Sequence, residues 1–474
     1  MIKFGTSGFR GIIADNFTKE NVQKVAYGFV KYLEQNELDN IEISVGYDNR
    51  FLSKDFAKWF SEVVCAYGVK VNFYTCSVPS SLICYNCKKY DFGVMITSSH
   101  NPYYYNGIKL FIDGGKDCDE NTCSVIEKFA NIVEYEDICS LSYDDAIKSE
   151  LLFETENIRD YCNSLLNLVD VDLIRESKLK VLINTMNGSS YDCMQKIFNE
   201  LEIDYCFINN ELDPYFRNIL PAPYIQNLKE ETKIVLKNNF DICFCLDGDG
   251  DRFACIDKSG KYLDCNYILP IMYKYYLEVK GYKGDLVKNN AMSNLSKLLC
   301  KYLGTKCYEA SVGFKNIGKI LSTTDAFIGG ESNGIAFKDN ICSKDGIFVS
   351  LLLTEIMAFY NKSIGELVTD LQKLLYFPQE VYEYAYPITK EKKDELYKLI
   401  YEDKKLFKLD NRKIEEISYK DGLKITYEKD YWCCVRFSGT ENVIRIFVEF
   451  ENKEKCDEAT KTVEKFLNVH DRQQ

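Results

Sequence analysis

Histidine is nearly absent from this 474-residue chain, which contains only His100 and His470. A Ser-His-Asp hydrolase would therefore have one candidate histidine beside Ser99 and one near the C-terminus. The nucleophile-elbow pattern G-x-S-x-G is also missing around Ser99. Adjacent side chains in an extended segment point apart, so His100 is poorly placed to activate Ser99 as a base. These absences weaken a hydrolase interpretation of the serine.

Long apolar runs and an excess of positive charge are also lacking. The longest runs, such as residues 347–353, are far shorter than a membrane span. The net charge of -13 argues against nucleic acid or a membrane as the main partner, although local positive charge can still bind phosphate. The opening residues show no signal-peptide pattern, so we expect a cytoplasmic protein.

Cysteine, in contrast, is abundant, with 20 residues. In a cytoplasmic protein we expect these thiols to be reduced and to act as small core residues. Cys84 and Cys87 form one C-x-x-C pair, but partners at zinc-ligand spacing are missing nearby, which disfavours a zinc site. A chain of this length should divide into two to four domains, and its hydrophobic content of 46% can fill their cores.

Strand-like and helix-like segments alternate along most of the chain, which predicts α/β layers. Predicted strands include residues 43–46, 71–74, 94–96 and 180–184. The acidic, irregular stretch from Glu134 to Ser149 is a plausible first boundary. The last hundred or so residues are rich in Lys and Glu and predict a smaller α+β domain.

Ser99 lies in the polar segment Thr97-Ser98-Ser99-His100-Asn101-Pro102, directly after the apolar run 92–96. A turn serine that caps backbone groups is the ordinary alternative. Open α/β sheets, however, bind ligands at the carboxyl ends of their strands. Ser99 is therefore a candidate nucleophile.

Three aspartates alternate with glycines in Asp247-Gly248-Asp249-Gly250-Asp251-Arg252, after another predicted strand. Carboxylates at alternating positions can converge on one hard divalent cation. An EF-hand would need Gly and Glu where Arg252 and Lys258 stand. A solvated acidic turn gains little from three mutually repelling carboxylates. The pattern predicts a metal loop, and Arg252 would suit a phosphate held by the metal.

A cationic segment near the C-terminus predicts an anion clamp. It comprises Arg436, Ser438, Gly439, Thr440 and Arg445. Guanidinium groups bind phosphate through paired hydrogen bonds, and hydroxyl and glycine N–H groups add donors. An ordinary hairpin with exposed arginines remains the alternative. The segment Gly330-Glu331-Ser332-Asn333-Gly334 is a weaker signal, because a bare turn would look the same, but Glu331 and Asn333 could bind sugar hydroxyls.

Together these motifs resemble, in order and over nearly the whole chain, the α-D-phosphohexomutases, the family of phosphoglucomutases and phosphomannomutases. The resemblance implies three similar mixed α/β domains plus a smaller C-terminal α+β domain around a central cleft. We place these domains at residues 1–140, 150–257, 258–372 and 373–474.

The resemblance also assigns roles to individual residues. Residues 5–11 match the opening motif that supplies Arg10, and residues 106–109 match the segment that places Lys109 beside the nucleophile. Ser99 takes the place of the phosphoserine, with His100 next to it, and Asp247, Asp249 and Asp251 take those of the magnesium ligands. Lys315, Glu331, Asn333 and Arg252 would bind the sugar phosphate, and the clamp would hold a phosphate group. Lys109 is the candidate general acid/base, with a pKa that we expect to be lowered by Mg²⁺ and Arg10.

The implied activity is transfer of phosphate between positions 1 and 6 of a hexose, with Mg²⁺ and an activator of the glucose 1,6-bisphosphate type. Three departures from the family pattern are Ser98 for alanine, Asn442 for proline and Asn333 for serine. A fourth is Ile335, where dual-specificity enzymes commonly have histidine, and it favours a glucose-type or pentose-type substrate. Mannose and glucosamine phosphates stay open, as do a non-catalytic homologue, a metal-dependent phosphatase and the oligomeric state.

Overall fold

The computed structural model describes residues 1–5, 8–410, 412–438 and 442–469. Over these residues four sheets follow one another along the chain, and helices pack on them. The predicted fold class, three mixed α/β units followed by a C-terminal α+β unit, is confirmed. The exact boundaries given above stay a proposal.

The first sheet has the strand order β1-β2-β6-β5-β3-β4-β8, with β7 paired to β6. Its strands are β1 (Phe4–Gly5), β2 (Gly8–Ile12), β3 (Glu42–Tyr47), β4 (Lys70–Tyr74), β5 (Phe92–Ile96), β6 (Tyr105–Ile112), β7 (Lys116–Asp117) and β8 (Leu152–Thr155). Its helices are α1 (Lys19–Gln35), α2 (Ser53–Ala66), α3 (Ser80–Asn86), α4 (Glu120–Ile132) and α5 (Tyr143–Lys148). The parallel strands β3 and β5 are buried almost throughout, as expected for a sheet covered on both faces.

The second sheet has the order β10-β9-β11-β12-β13. Its strands are β9 (Lys180–Asn184), β10 (Asp204–Ile208), β11 (Ile242–Leu246), β12 (Phe253–Asp257) and β13 (Tyr262–Leu263). The associated helices are α6 (Arg159–Leu166), α7 (Val171–Glu176), α8 (Tyr191–Leu201) and α9 (Lys229–Asn238). Strand β11 is fully buried, and the turn that joins it to its antiparallel neighbour β12 is the aspartate loop.

The third sheet has the order β15-β14-β16-β17. Its strands are β14 (Asp285–Asn289), β15 (Cys307–Ala310), β16 (Ala326–Glu331) and β17 (Gly334–Phe337). Its helices are α10 (Cys265–Glu278), α11 (Leu295–Leu303), α12 (Phe314–Thr323), α13 (Gly346–Tyr360) and α14 (Ile364–Leu374). A capping box between Ser363 and Glu366 begins α14, and the Asp345 carboxylate caps α13.

Within the described residues, no single helix is both long and apolar enough to cross a membrane. Helices α13 and α14 reach the required length and composition only as a pair bent by 73°. Most of α13 is buried among the protein's own hydrophobic residues.

The fourth sheet is antiparallel, with the order β18-β22-β21-β20-β19. Its strands are β18 (Glu380–Pro387), β19 (Ile414–Ser418), β20 (Leu423–Tyr427), β21 (Trp432–Phe437) and β22 (Val443–Phe450). Its helices are α15 (Lys390–Tyr397) and α16 (Lys453–Leu467). One continuous hydrophobic cluster includes residues of all four units, and the first unit has a further large core of its own.

Candidate active site

The segment after β5 turns sharply at Ser99, whose φ of 53° lies in the left-handed region. Ser99 is buried, and its backbone N–H donates to the hydroxyl of Thr97 at 2.8 Å. Its own hydroxyl donates to Oδ2 of Asp247 at 2.7 Å. A non-glycine residue held in this region stores strain of about 1–3 kcal/mol, which surrounding contacts must offset. The fold thus aims the Ser99 hydroxyl at the aspartate loop.

Arg50 supplies many of those surrounding contacts. Its guanidinium donates to the carbonyl oxygens of Ser99 at 2.5 Å, Asn101 at 2.7 Å, Pro102 at 2.8 Å and Tyr105 at 3.1 Å. Its Nε pairs with Asp48, which also accepts a hydrogen bond from the Thr97 hydroxyl at 2.6 Å. The buried Arg50–Asp48 pair thus fixes the backbone of the segment that contains Ser99. Sequence reasoning missed it, although Asp48-Asn49-Arg50 follows strand β3 just as the serine follows β5.

Asp247, Asp249 and Asp251 are all buried, and their candidate ligand atoms lie within 4.8 Å of one another. Oδ1 of Asp249 is buried without any hydrogen-bond partner. Burial, followed by the charges of Asp249 and Asp251, raises the pKa of Asp247 to about 7. Converging hard oxygen ligands with an unsatisfied atom fit a divalent cation such as Mg²⁺. The arrangement could therefore hold a metal ion next to the Ser99 hydroxyl.

Two lysines face the same aspartates. Nζ of Lys109 lies 2.6 Å from Oδ2 of Asp249 and 2.8 Å from Oδ2 of Asp251, and Nζ of Lys344 lies 3.2 Å from Oδ1 of Asp251. Burial acts to lower the pKa of Lys109, but the two carboxylates outweigh it, so the pKa is raised. The carboxylates thus oppose the expected lowering of the Lys109 pKa by stabilising the ammonium, whereas Arg10 acts in the expected direction. Lys344 was not predicted, since an isolated Lys before a helix carries no sequence signal.

Three further predicted residues surround the serine. Arg10 donates to the side-chain oxygen of Asn101 at 2.8 Å, and Arg252 donates to the Tyr224 hydroxyl at 2.9 Å. Nδ1 of His100 lies 3.4 Å from Oγ of Ser99. Burial and the nearby cations, with Arg252 first among them, hold the pKa of His100 well below its usual value. The imidazole is therefore neutral near pH 7.

Glu331 ends strand β16 and is held by the neighbouring strand ends. Its Oε1 accepts hydrogen bonds from the backbone N–H of Gly313 at 2.7 Å and from the Asn289 amide at 3.2 Å. The side-chain oxygen of Asn333 is buried and has no hydrogen-bond partner. Lys315 is the second residue of helix α12, which begins directly after Gly313, and its Nζ lies 3.7 Å from Glu120 of the first unit. These residues provide acceptors and a cation for a polar ligand.

Arg436 and Arg445 are paired across strands β21 and β22, so their side chains share one face of the fourth sheet. Nε of Arg436 bonds to Asp421 at 3.0 Å, and Asp421 also accepts from the backbone N–H of Val312 at 2.6 Å. This bridge brings Arg436 beside the segment that leads to Lys315.

Two other members of the predicted clamp, Ser438 and Arg445, contact neighbouring segments of the fourth unit. Ser438 follows β21, and its carbonyl accepts a hydrogen bond from Lys393 at 2.8 Å. Arg445 pairs with Glu383 of strand β18. Gly439 and Thr440 lie outside the described residues. The roles predicted for all of these residues stay predictions.

Ile335, noted above as a departure from the family pattern, is fully buried in strand β17. It packs within the large hydrophobic cluster. This residue therefore fills the core rather than presenting a polar group to a ligand.

The four-unit fold and a buried serine opposite three aspartates define an enzyme of the phosphohexomutase class. Family models for phosphoglucomutase/phosphomannomutase match all four units: α/β/α domain I over residues 1–136, domain II over 159–260, domain III over 264–374 and the C-terminal domain over 388–465. The chain belongs to the phosphoglucomutase/phosphomannomutase family, and it is an isomerase.

Individual relatives agree with this family. A phosphoglucomutase/phosphomannomutase of Thermococcus kodakarensis is 29% identical over 96% of each chain. A phosphoglucosamine mutase of Methanocaldococcus jannaschii is 27% identical over 98% of this chain and 99% of its own. A crystal structure assigned as a phosphomannomutase of Thermus thermophilus superposes with a TM-score of 0.86 at 25% identity, covering 98% of this chain and 99% of the other.

Proposed function

We propose that this protein is a Mg²⁺-dependent mutase that interconverts hexose 1-phosphate and hexose 6-phosphate, with glucose phosphates as the first candidate substrates. The observation that carries the proposal is the 2.7 Å hydrogen bond from the Ser99 hydroxyl to Asp247 within the buried aspartate cluster. A hydroxyl beside a divalent-cation site is suited to accept and release a phosphoryl group.

In the proposed reaction, phospho-Ser99 transfers its phosphoryl group to the free hydroxyl of the sugar phosphate. The bond from phosphorus to Oγ of Ser99 breaks and a bond to the sugar oxygen forms. Oγ takes a proton from the Lys109 ammonium, and the proton that the sugar hydroxyl releases restores that ammonium. The resulting bisphosphate reorients within the site and returns its other phosphoryl group to Ser99. A bisphosphate of the glucose 1,6-bisphosphate type would restore phospho-Ser99 whenever the intermediate escapes.

Asp247, Asp249 and Asp251 would hold the Mg²⁺ ion, which supplies charge stabilisation to the phosphoryl oxygens. Lys109 in its ammonium form can supply the proton that Oγ of Ser99 needs when its phosphoryl group departs. Neutral His100, 3.4 Å from that oxygen, is the second candidate proton carrier. Arg10 and Arg252 would orient the reacting phosphate through charge-assisted hydrogen bonds.

The remaining predicted residues would bind the rest of the substrate. Glu331 and Asn333 offer acceptors to sugar hydroxyls, and Lys315 offers a cation near them. Arg436, Ser438, Gly439, Thr440 and Arg445 would hold the phosphate that is not being transferred. A phosphate clamp far along the chain from Ser99 allows the two phosphates of the intermediate to exchange places.

A second candidate is phosphoglucosamine mutase activity, which the Methanocaldococcus relative favours. Turnover of glucose, mannose, glucosamine and ribose 1-phosphates should be compared with and without a trace of the matching bisphosphate. We expect one hexose phosphate to dominate and activity to depend on the bisphosphate. Release of inorganic phosphate would instead indicate a phosphatase, and absence of turnover on all four sugars would indicate a non-catalytic homologue.

A further inference from the structure

Ser80, the first residue of helix α3, contacts the aspartate loop twice. Its backbone N–H donates to the carbonyl oxygen of Asp249 at 2.9 Å, and its hydroxyl donates to Oδ2 of the same residue at 2.6 Å. The serine is only 2% exposed. Helix α3 belongs to the first unit and Asp249 to the second, so a candidate metal ligand of one unit is held by a side chain of the other.

The two carboxylate oxygens of Asp249 have different surroundings. Oδ2 accepts hydrogen bonds from the Ser80 hydroxyl and from the Lys109 ammonium, both at 2.6 Å. Oδ1 is buried and has no hydrogen-bond partner among the residues that the structure describes. Each carboxylate oxygen has about two lone-pair sites, so the two donors satisfy Oδ2. Oδ1 is therefore the oxygen of Asp249 that is left to bind a cation.

The turn that leads into α3 packs closely against the aspartate loop. The backbone N–H of Val78 donates to the carbonyl oxygen of Tyr47, the last residue of β3, at 3.0 Å, and this bond anchors the turn to the first sheet. Gly250 has a φ of 71°, and a Cβ atom at this position would lie 3.2 Å from the Cβ atom of Pro79. The Ser80 hydroxyl is thus presented to the loop by backbone that is held from both units.

Ser81, the next residue of α3, also bonds across the units but has a different partner. Its hydroxyl pairs with the hydroxyl of Tyr161 in α6 at 2.8 Å, and Tyr161 in turn donates to Asp345 at 2.8 Å. Ser81 is fully buried. The two adjacent serines therefore share their helix, their burial and a hydrogen bond between units, and they differ in whether the partner is a candidate metal ligand.

We propose that Ser80 is a positioning residue of the cation site: together with Lys109 it occupies Oδ2 of Asp249 and thereby presents Oδ1 to a divalent cation. The inference rests on the proposed function, which assigns Mg²⁺ to the aspartate cluster. Without the hydroxyl, Oδ2 keeps one donor and the carboxylate can rotate about its Cβ–Cγ bond. Loss of a group that hydrogen-bonds to a metal ligand typically lowers metal affinity by about 10–100-fold. Removal of the Ser80 hydroxyl should therefore weaken cation binding even though all three aspartates remain.

The test measures cation binding directly on the full chain, without sugar phosphate. Mn²⁺ is the probe, because carboxylate sites suit Mn²⁺ as well as Mg²⁺, and free Mn²⁺ gives a paramagnetic resonance signal that decreases on binding. Mg²⁺ is then added as the competitor. We expect Ser80→Ala to bind Mn²⁺ about 10–100-fold more weakly than the parent protein. Ser81→Ala is the matched control and should bind Mn²⁺ like the parent.

Two further comparisons separate positioning from folding. Ser80→Thr keeps the hydroxyl and should bind Mn²⁺ like the parent, whereas Ser80→Val has the same shape without the hydroxyl and should lose affinity as Ser80→Ala does. The thermal unfolding midpoint without cation should fall similarly in Ser80→Ala and Ser81→Ala, since each loses one buried hydrogen bond. Only Ser80→Ala should need more Mg²⁺ to raise that midpoint, because a ligand that binds the folded state stabilises it according to its affinity.

The outcomes distinguish this inference from the proposed function. The inference is overturned if the parent binds Mn²⁺ and both Ser80→Ala and Ser80→Val bind it equally tightly. It is also overturned if Ser81→Ala weakens Mn²⁺ binding as much as Ser80→Ala. A parent protein that binds no Mn²⁺ would instead overturn the cation site of the proposed function, and the inference with it.

Discussion

The guanidinium of Arg50 lies directly behind the backbone of Ser99, with Nη2 of Arg50 donating to the Ser99 carbonyl at 2.5 Å. The same nitrogen reaches the carbonyl of Asn101, and Nη1 reaches those of Pro102 and Tyr105. The Arg50 guanidinium thus donates hydrogen bonds to four carbonyl oxygens of the segment that contains Ser99. Because this turn includes a left-handed residue, its geometry depends on such cross-links.

Arg50→Lys should lower kcat while it leaves KM for the sugar phosphate within about twofold. Lysine keeps the charge but cannot donate in several fixed directions. Ser99 would therefore be mispositioned, whereas binding of the sugar phosphate would be retained. We expect kcat to fall about ten- to a hundredfold, which corresponds to about 1.4–2.8 kcal/mol. Initial rates across substrate concentrations measure this.

The control for Arg50 is Arg412→Lys, which alters a two-bond ion pair with Glu451 in the C-terminal unit. That variant should keep both constants near their parent values. Added guanidinium should partly restore the activity of Arg50→Ala, because it can refill the space behind the serine. A parallel fall of stability in both arginine variants, with kcat unchanged, would reduce Arg50 to a structural role.

Ser99 should carry one transferable phosphoryl group. Of the two neighbouring serines in this turn, Ser99 is the one whose hydroxyl contacts the aspartate cluster, whereas Ser98 is buried with no partner for its hydroxyl. The hydroxyl of Ser80, on helix α3, also donates to Asp249 at 2.6 Å. Intact-mass analysis and peptide mapping should locate a single phosphate on Ser99, and incubation with sugar monophosphate should remove it. Ser99→Ala should lose turnover and Ser98→Ala should keep it. Phosphate mapped to Ser98 would contradict the assignment.

Each of the changes Asp247→Asn, Asp249→Asn and Asp251→Asn should raise the Mg²⁺ concentration needed for half-maximal activity and reduce kcat by orders of magnitude. Loss of one hard anionic ligand weakens the cation site, and the cation is expected to supply several kcal/mol of charge stabilisation. Titration of Mg²⁺ into enzyme that has been freed of metal by a chelator measures both effects. Asp257→Asn, at the far end of strand β12, is the control. Activity that survives exhaustive chelation would rule out the metal.

Much of the site was predictable because its residues stand out in sequence. Ser99, Asp247 and Glu331 each follow or end an apolar strand, and strand ends are where α/β sheets bind ligands. The alternation of strands and helices likewise predicted the layered architecture. In these segments the residues that carry the chemistry lie within a few positions of the strand that places them.

Other features arise only when distant segments meet. Nothing in the local sequence marks Arg50 or Lys344 as a site residue. Each contacts groups that belong to segments far from it along the chain. The raised pKa of Lys109 depends on carboxylates more than a hundred residues away. The contact between Lys424 of β20 and Asn290 likewise forms only where two separate sheets meet. Periodicity and motif spacing carry no information about such long-range contacts.

Lys424 of strand β20 is buried, and its ammonium donates to the backbone oxygen of Asn290 at 2.7 Å. It should make stability depend on pH in a window set by its lowered pKa. Its pKa is about 8 in the folded protein and about 10.4 when the chain is unfolded. Between these values the unfolded state binds more protons, so the free energy of unfolding rises with pH. Relative to Lys424→Met, the parent should gain up to about 3 kcal/mol between pH 8 and 10.5 in anion-free buffer. Denaturant unfolding measures the difference, and a constant difference across that window would contradict the buried-cation interpretation.

Arg436→Ala should chiefly raise KM, because its proposed partner is the phosphate that is not transferred and is bound in the ground and transition states alike. A charge-assisted hydrogen bond contributes about 1.5–3 kcal/mol, so KM should increase roughly ten- to a hundredfold. Asp421→Asn, which alters the residue that positions Arg436 at 3.0 Å, should cause a smaller increase in the same constant. Phosphorylation of Ser99 by bisphosphate should persist at higher bisphosphate concentrations. Normal KM with kcat near zero would place Arg436 at the reacting phosphoryl group instead, and the clamp would then have to be assigned to other residues.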